Sequence, residues 1–387
     1  MCCPARIAGV IALNILLVQP EFPTPSKSKN HGSRFPVGLL KIGAYHIAQG
    51  DKVALRVGMR KPRLVPDEIK ITSLFTYWAD QVHETARYYH SLYPNAKVEV
   101  GGIYATLMPD DCRKALPFAE VCPGLYRGGV AEDYVPAFSL LSHKTDTQVV
   151  HASRGCKRKC RYCAVWKIEP NDTYLESMKK RIRRRKLLFY DNNLLMNPHI
   201  ESILEELAKY RDGKGRHVWC ECQSGLDRRI LNRYPNLAGL LRKARFHNPR
   251  IAWDGRYGDL SKVRRAVRIL RKAGYPASEL YVFMLYNHEI PYAEMKAKLE
   301  ACRRWGVRVA DCRFRPLDRT TDGYNPRLKA QAPTDYYIHP KWSDREVRRF
   351  RRTVRRQNIG VMLGLPNNRY VAGCERGYVG GKATSRR

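Results

Sequence analysis

Thr147-Gln-Val-Val-His-Ala-Ser-Arg-Gly-Cys156-Lys-Arg-Lys-Cys160-Arg-Tyr-Cys163 decides how the chain is read, because an extended run passes straight into a loop carrying three cysteines. Spacings of three residues and then two let a tight loop aim its thiolates at one centre. Thiolates are the usual protein ligands of iron–sulfur clusters, and a cubane takes four of them to saturate its irons. Three ligands leave one iron with an open position, and open positions are where metal centres do chemistry. Structural zinc is the competing reading. It wants four N or S ligands, and Cys220, Cys222 and His151 are the nearest further donors. No second paired knuckle matches the loop. Lys157, Arg158, Lys159 and Arg161 interleave the cysteines, and nearby cations favour the thiolate form.

CxxxCxxC with an aromatic residue, Tyr162, before its last cysteine resembles the radical S-adenosylmethionine (radical SAM) superfamily. The resemblance implies a [4Fe-4S] cluster on Cys156, Cys160 and Cys163, with Tyr162 near the adenine of S-adenosyl-L-methionine. It implies that the open iron takes the amino and carboxylate groups of that cofactor, and that reductive cleavage yields a 5′-deoxyadenosyl radical. It also implies an electron donor of flavodoxin or ferredoxin type, for which the cations of the loop would be a docking surface.

Upstream of the loop, strand and helix signals alternate. Ile11 to Val18 reads as a strand apolar on both faces apart from Asn14, as in a parallel sheet covered on both sides. Pro36 opens a helix with Leu39, Leu40, Ala44 and Ile47 on one stripe and Gly50 as its stop. Val53 to Val57, Ile69 to Ile71, Val98 to Val100 and Ala119 to Cys122 read as strands, Tyr77 to Tyr93 as a helix, and a further helix is expected from Ala131. Such alternation predicts a doubly wound α/β domain that binds ligands at the carboxyl ends of its strands. The runs Leu16-Leu-Val-Gln-Pro20, Pro36-Val-Gly-Leu-Leu40 and Val100-Gly-Gly-Ile-Tyr-Ala-Thr106 resemble the amino-terminal domain of the cobalamin-binding group of radical SAM enzymes. This implies a Rossmann-like, cobalamin-binding-like domain over residues 1–143 and cobalamin as a further cofactor. The Asp-x-His-x-x-Gly motif that elsewhere supplies a histidine to cobalt is absent. A Gly-Gly pair after a strand also reads as an ordinary tight turn.

Downstream the alternation restarts. Strands are expected at Lys186–Tyr190, His217–Cys222, Leu280–Leu285 and Val307–Phe314, with helices at Ile200–Tyr210, Ser261–Ala273 and Ala293–Trp305. The repeat resembles the partial (β/α)6 TIM-type barrel of the radical SAM family, here over residues 144–329, where strand ends carry chemistry. On that resemblance Asp191, Asn192 and Asn193 contact the methionine amino group, while Tyr286 and Asn287 approach the adenine. Asp191-Asn-Asn193 also reads as an Asx turn capping a strand. Asp254 is a candidate for a ribose hydroxyl; Gln223 and Ser224 are further candidates. Arg313 and Arg315 are placed to bind a carboxylate or phosphate, or to pair with Asp318. Residues 330–387 form a basic carboxyl-terminal extension, with Ser343-Asp-Arg-Glu346 as a capping box.

Lysine and arginine total 71 against 36 acidic residues, a formal charge of +35. Thirteen cations against three acids lie between Arg154 and Lys186, and again from Lys341 to Arg387. Such an excess reads either as a solvated arginine-rich surface or as a field for nucleic acid. RNA modification, and a non-catalytic zinc- or cluster-containing nucleic-acid-binding protein, therefore stand beside the enzyme reading. The 12 cysteines show no disulfide framework, which points to a reducing, cytoplasmic setting. No run approaches a membrane span, and Ile7 to Val18 ends in Gln19-Pro20-Glu21 without a cleavage pattern.

Overall fold

A computed structural model describes residues 12–23 and 35–365, which divide into two compact units. The first is the chain up to Thr147 with Gly155–Asn171 and Pro316–Gly323; the second is Gln148–Arg154, Asp172–Arg315 and the chain from Tyr324. The expected consecutive segments 1–143, 144–329 and 330–387 are thus interleaved. The cysteine loop belongs with the first unit, and the basic tail completes the core of the second. Cys2, Cys3, Cys374 and the glycine-rich end lie outside the described residues.

In the first unit β1 (Asn14–Gln19), α1 (Val37–Ala48), β2 (Lys52–Val57), β3 (Glu68–Ser73), α2 (Ala79–Leu92), β4 (Lys97–Gly102), α3 (Ile103–Leu107), α4 (Pro109–Ala115) and β5 (Glu120–Cys122) follow one another. The strands form one parallel sheet in the order β2-β1-β3-β4-β5. Ile15 to Val18 are fully buried, as a central parallel strand requires. On α2, Val82, Thr85, Ala86 and Tyr89 recur at helical spacing and face the core. Gly43 of α1 lets that helix approach the sheet: a Cβ there would stand 3.0 Å from Leu17 Cδ1 of β1 and 2.6 Å from Leu140 Cδ1. The helix expected from Ala131 does not form; turns lead to Pro136, whose ring disfavours helical geometry in Val135. A one-turn helix, α5 (Val165–Ile168), follows the cysteine loop and packs on α3.

The second unit holds β6 (Thr147–Val150), the short antiparallel pair β7 (Ser153–Arg154) and β8 (Thr173–Tyr174), then β9 (Lys186–Phe189), α6 (Ile200–Lys209), β10 (Trp219–Cys222), α7 (Arg228–Arg233) and α8 (Asn236–Lys243). After these come β11 (Phe246–His247), β12 (Arg250–Ala252), α9 (Leu260–Lys272), β13 (Tyr281–Tyr286), α10 (Tyr292–Arg304), β14 (Arg308–Arg313) and α11 (Asp344–Met362). Two sheets run β11-β10-β9-β6 and β12-β13-β14, and a parallel bridge from Leu226 to Ile251 joins them. Within each sheet β9, β10 and β11, and β12, β13 and β14, are neighbours in chain order with helices between them, while β6 pairs with β9 across the intervening β7–β8 pair.

Inward stripes on the helices, such as Val263, Ala266, Val267 and Leu270 of α9, build one core with alternate strand residues. The tail adds Trp342, Val347, Phe350 and Val354 to it. Ser343 and Glu346 close the expected capping box on α11. The Asn358 amide pairs both ways with the Val309 backbone at 2.8 Å, covering the edge of β14 as a further strand would.

Candidate functional site

The cysteine loop is a closed structure. Gly155, buried and at φ +78°, donates its N–H to Glu169 Oε2 at 2.8 Å, so the first and last residues of the excursion are tied. Lys159 lies in the left-handed region at φ +43° and turns the chain between Cys156 and Cys160. Cys163 N–H donates to Cys160 O at 3.0 Å, closing a turn over the second half of the motif. Cys156, Cys160 and Cys163 are each partly exposed, as is Tyr162, whereas Lys157, Arg158, Lys159 and Arg161 point to solvent. Among the described residues no three His, Cys, Asp or Glu side chains surround a single-ion site. A cubane asks for something else, one thiolate per iron around its corners. The donor set suits that group: three accessible soft sulfurs on one loop.

The further zinc donors behave differently. Cys220 and Cys222 lie in the apolar core of the second unit with Leu187 and Phe189. Burial pushes the Cys222 thiol up to about 11 and the Cys220 thiol higher still. They act as small hydrophobes. His151 Nε2 faces Arg154 Nη1 at 3.3 Å.

At the carboxyl ends of the second unit's strands the expected residues take distinct roles. Asp191 is wholly buried; its Oδ1 accepts from Ala152 N–H (3.0 Å), Ser153 N–H (2.6 Å) and Ser153 Oγ (2.8 Å). Burial nevertheless raises its carboxyl to about 6 against the pull of those donors. Its carboxylate stitches the end of β9 to the segment that enters the cysteine loop, and Ser224 Oγ donates to its backbone carbonyl. Asn192 is half-buried. Asn193 is buried and gives its amide Nδ2 to Asp227 at 3.4 Å, while its Oδ1 is a buried acceptor with no partner. Gln223 donates to Glu221 at 3.0 Å.

Asp254 is half-buried at the end of β12 and is braced by a residue the sequence analysis missed. The fully buried Lys298 reaches from α10 to donate to Trp253 O (2.7 Å) and Gly255 O (3.1 Å), the carbonyls flanking Asp254. Burial lowers this ammonium to about 8, with Asp254 pulling the other way. A lysine on the inward stripe of Met295, Leu299 and Cys302 was the signal available. Glu169 had none, because its partner lies fourteen positions upstream.

The remaining expected residues face elsewhere. Tyr286 is buried between Trp342 and Phe350, with ring centroids 6.0 and 4.8 Å away, and burial pushes its hydroxyl up. Asn287, at φ +58°, spends its amide on the tail: Nδ2 donates to Tyr337 O (2.8 Å) and Oδ1 accepts from His339 N–H (3.0 Å). The Arg313 guanidinium lies over the rings of Tyr324 (4.5 Å) and Tyr336 (5.1 Å).

In the first unit the order of strands reverses at β1 and β3, where ligands of such sheets bind. Phe22 stacks on Trp78 at 5.3 Å, and Phe75 stacks on Tyr77 at 5.0 Å. The hydroxyl of the fully buried Thr76 beside them has no partner. The Gly101-Gly102 pair has a local explanation: Gly102 sits at φ +99°, where a Cβ would stand 2.2 Å from Ser73 O. It allows β4 to turn against β3, and the Ser73 hydroxyl then bridges Gly101 O and Ala105 N–H. No family model matches the chain, and neither does any curated protein.

Proposed function

We propose that the chain is a radical SAM enzyme in which Cys156, Cys160 and Cys163 hold a [4Fe-4S] cluster. One observation carries the reading: three partly exposed thiols on a loop closed at its ends by Glu169 and turned by a left-handed Lys159. Cluster and S-adenosyl-L-methionine together supply, when bound, reductive formation of a 5′-deoxyadenosyl radical. The second unit is read as the partial (β/α)6 barrel and the first as the Rossmann-like, cobalamin-binding-like domain.

Chain residues then have defined tasks. Asn193 Oδ1, a buried acceptor without a donor, takes the cofactor's ammonium; an unsatisfied buried carbonyl is worth roughly 1–3 kcal/mol once paired. Asp254, fixed by Lys298, takes a ribose hydroxyl. Asp191 holds the strand end and leaves cofactor contact to Asn192 and Asn193. The specific reaction proposed is cobalamin-dependent group transfer, with Phe22, Phe75, Tyr77, Trp78 and the Thr76 hydroxyl lining the corrin's place. The exposed cations of the loop suit an acidic flavodoxin- or ferredoxin-like donor.

Anaerobic reconstitution with iron and sulfide tests the reading. A brown protein that releases 5′-deoxyadenosine on reduction, and loses both properties in Cys160→Ser, supports it. A colourless protein holding one zinc and releasing none overturns it. Corrin retained through purification tests the reaction subclass separately.

A further inference from the structure

The positive charge of this chain is not spread evenly over its helices. On α6 the exposed charged residues are Glu201, Glu205 and Lys209. A composition-wide bias toward arginine would have reached that face as well. On α9, by contrast, every exposed residue but Ser261 is a cation, and the helix contains no acid. Between Arg228 and Lys272 there are fourteen lysines and arginines against two acids, a larger net excess than in either run singled out from the sequence.

Folding collects these charges. The helix α7 packs on α9, tied by Asn232 Nδ2 to Lys262 O at 3.0 Å and by the Arg228–Asp259 ion pair, and α8 also packs on α9. Lys262 has Asp259 at 3.2 Å. Arg264, Arg265, Arg268, Arg271 and Lys272 have no carboxylate within ion-pair distance among the described residues. Their spacing puts them on adjoining rows along about 12 Å of helix. At the end of α7 the exposed Tyr234 carries the Arg233 guanidinium 5.3 Å from its ring centroid.

We infer that the outer face of α9, with the end of α7, is a docking surface for a nucleic-acid strand. Unpaired arginines in a row neutralise successive phosphates and release their counterions, and an exposed aromatic beside them offers a base a stacking platform. A lipid surface fits worse. Binding in a membrane interface needs an apolar face to insert, and the apolar stripe of α9 is consumed in the core. This inference does not rest on the cluster, and its test uses the full chain without reconstitution.

The probe is a fluorescein-labelled single-stranded RNA of mixed sequence, with phosphatidylserine vesicles as a parallel arm. Five phosphate contacts on a single strand predict an affinity loss of about 100-fold for a fourfold rise in salt. Reversing four of them (R264E, R265E, R268E and R271E together) weakens binding at low salt and leaves about 3-fold dependence over the same range. A matched reversal in the other unit (K52E, R60E, K61E and R63E) changes neither slope nor order of affinity, although it alters net charge equally. The same four positions changed to glutamine guard against misfolding and shift the slope in the same direction. Equal losses in both reversal sets, vesicle binding without RNA binding, or no RNA binding at low salt would each overturn the inference.

Discussion

Replacing Asp191 by asparagine should stabilise the protein at neutral pH. The residue is fully buried, and its carboxyl is raised to about 6 from an ordinary 3.8, chiefly by desolvation. Between those values the folded state keeps a proton that the unfolded chain has released. Stability is therefore greatest below the unfolded value and declines as pH rises through about 6. A difference of this size corresponds to about 3 kcal/mol, fully expressed above pH 6. The geometry lets asparagine collect the benefit, because all three donors from Ala152 and Ser153 reach Oδ1, while Oδ2 has only a second, 3.2 Å contact with Ala152 N–H. An amide can keep Oδ1 as acceptor and replace the ion at Oδ2. Urea unfolding followed by tryptophan fluorescence across this range should show native stability falling through the window and Asp191→Asn nearly flat, with the gap opening between pH 3.8 and about 6 and complete above that. A variant less stable than the native chain at neutral pH would refute the reasoning. So would a native curve with no decline in the window.

Gly102→Ala should destabilise the first unit by about 3 kcal/mol or more, since φ +99° and an atom 2.2 Å from Ser73 O must both be accommodated; the measurement is that unit's unfolding midpoint. Arg250→Met should cost about 3–5 kcal/mol by leaving Glu221 charged and buried, for Arg250 Nη2 now meets Glu221 Oε1 at 2.5 Å with both side chains under a tenth exposed. The double change with Glu221→Gln should recover most of that loss, read by the same denaturation curve. Glu169→Ala should leave melting nearly unchanged but lower the iron retained after reconstitution, because it opens the clasp on Gly155 N–H; Glu169→Gln, which keeps an acceptor, should restore it.

The alternation of strands and helices was legible because its signals are local. The run Ile15-Leu-Leu-Val18 announces a strand covered on both faces, and Gly50 stops α1 at positive φ in the place expected. Apart from the start of the first strand, expected at Ile11 and found at Asn14, strand ends fell within a residue or two of expectation, as in Tyr281–Tyr286 against Leu280–Leu285. Site roles were less legible. Position at a strand end says nothing of where a side chain is spent. Asp191, Tyr286 and Asn287 all looked available for a ligand, yet each is committed to the protein itself: to Ala152 and Ser153, to Trp342 and Phe350, and to the 337–339 backbone.

What the order of amino acids determined alone was periodicity and inventory: which segments are strands or helices, where three thiols crowd one loop, and how far cations outnumber acids. Only tertiary packing decided partnership, since hydrogen bonds, buried charges and close approaches join residues far apart in the chain. The Glu169 clasp, the Lys298 brace under Asp254 and the exclusion of any side chain at Gly102 all arise in this way. Each depends on a desolvated or sterically closed neighbourhood that exists only after the chain has folded, and local spacing does not encode it.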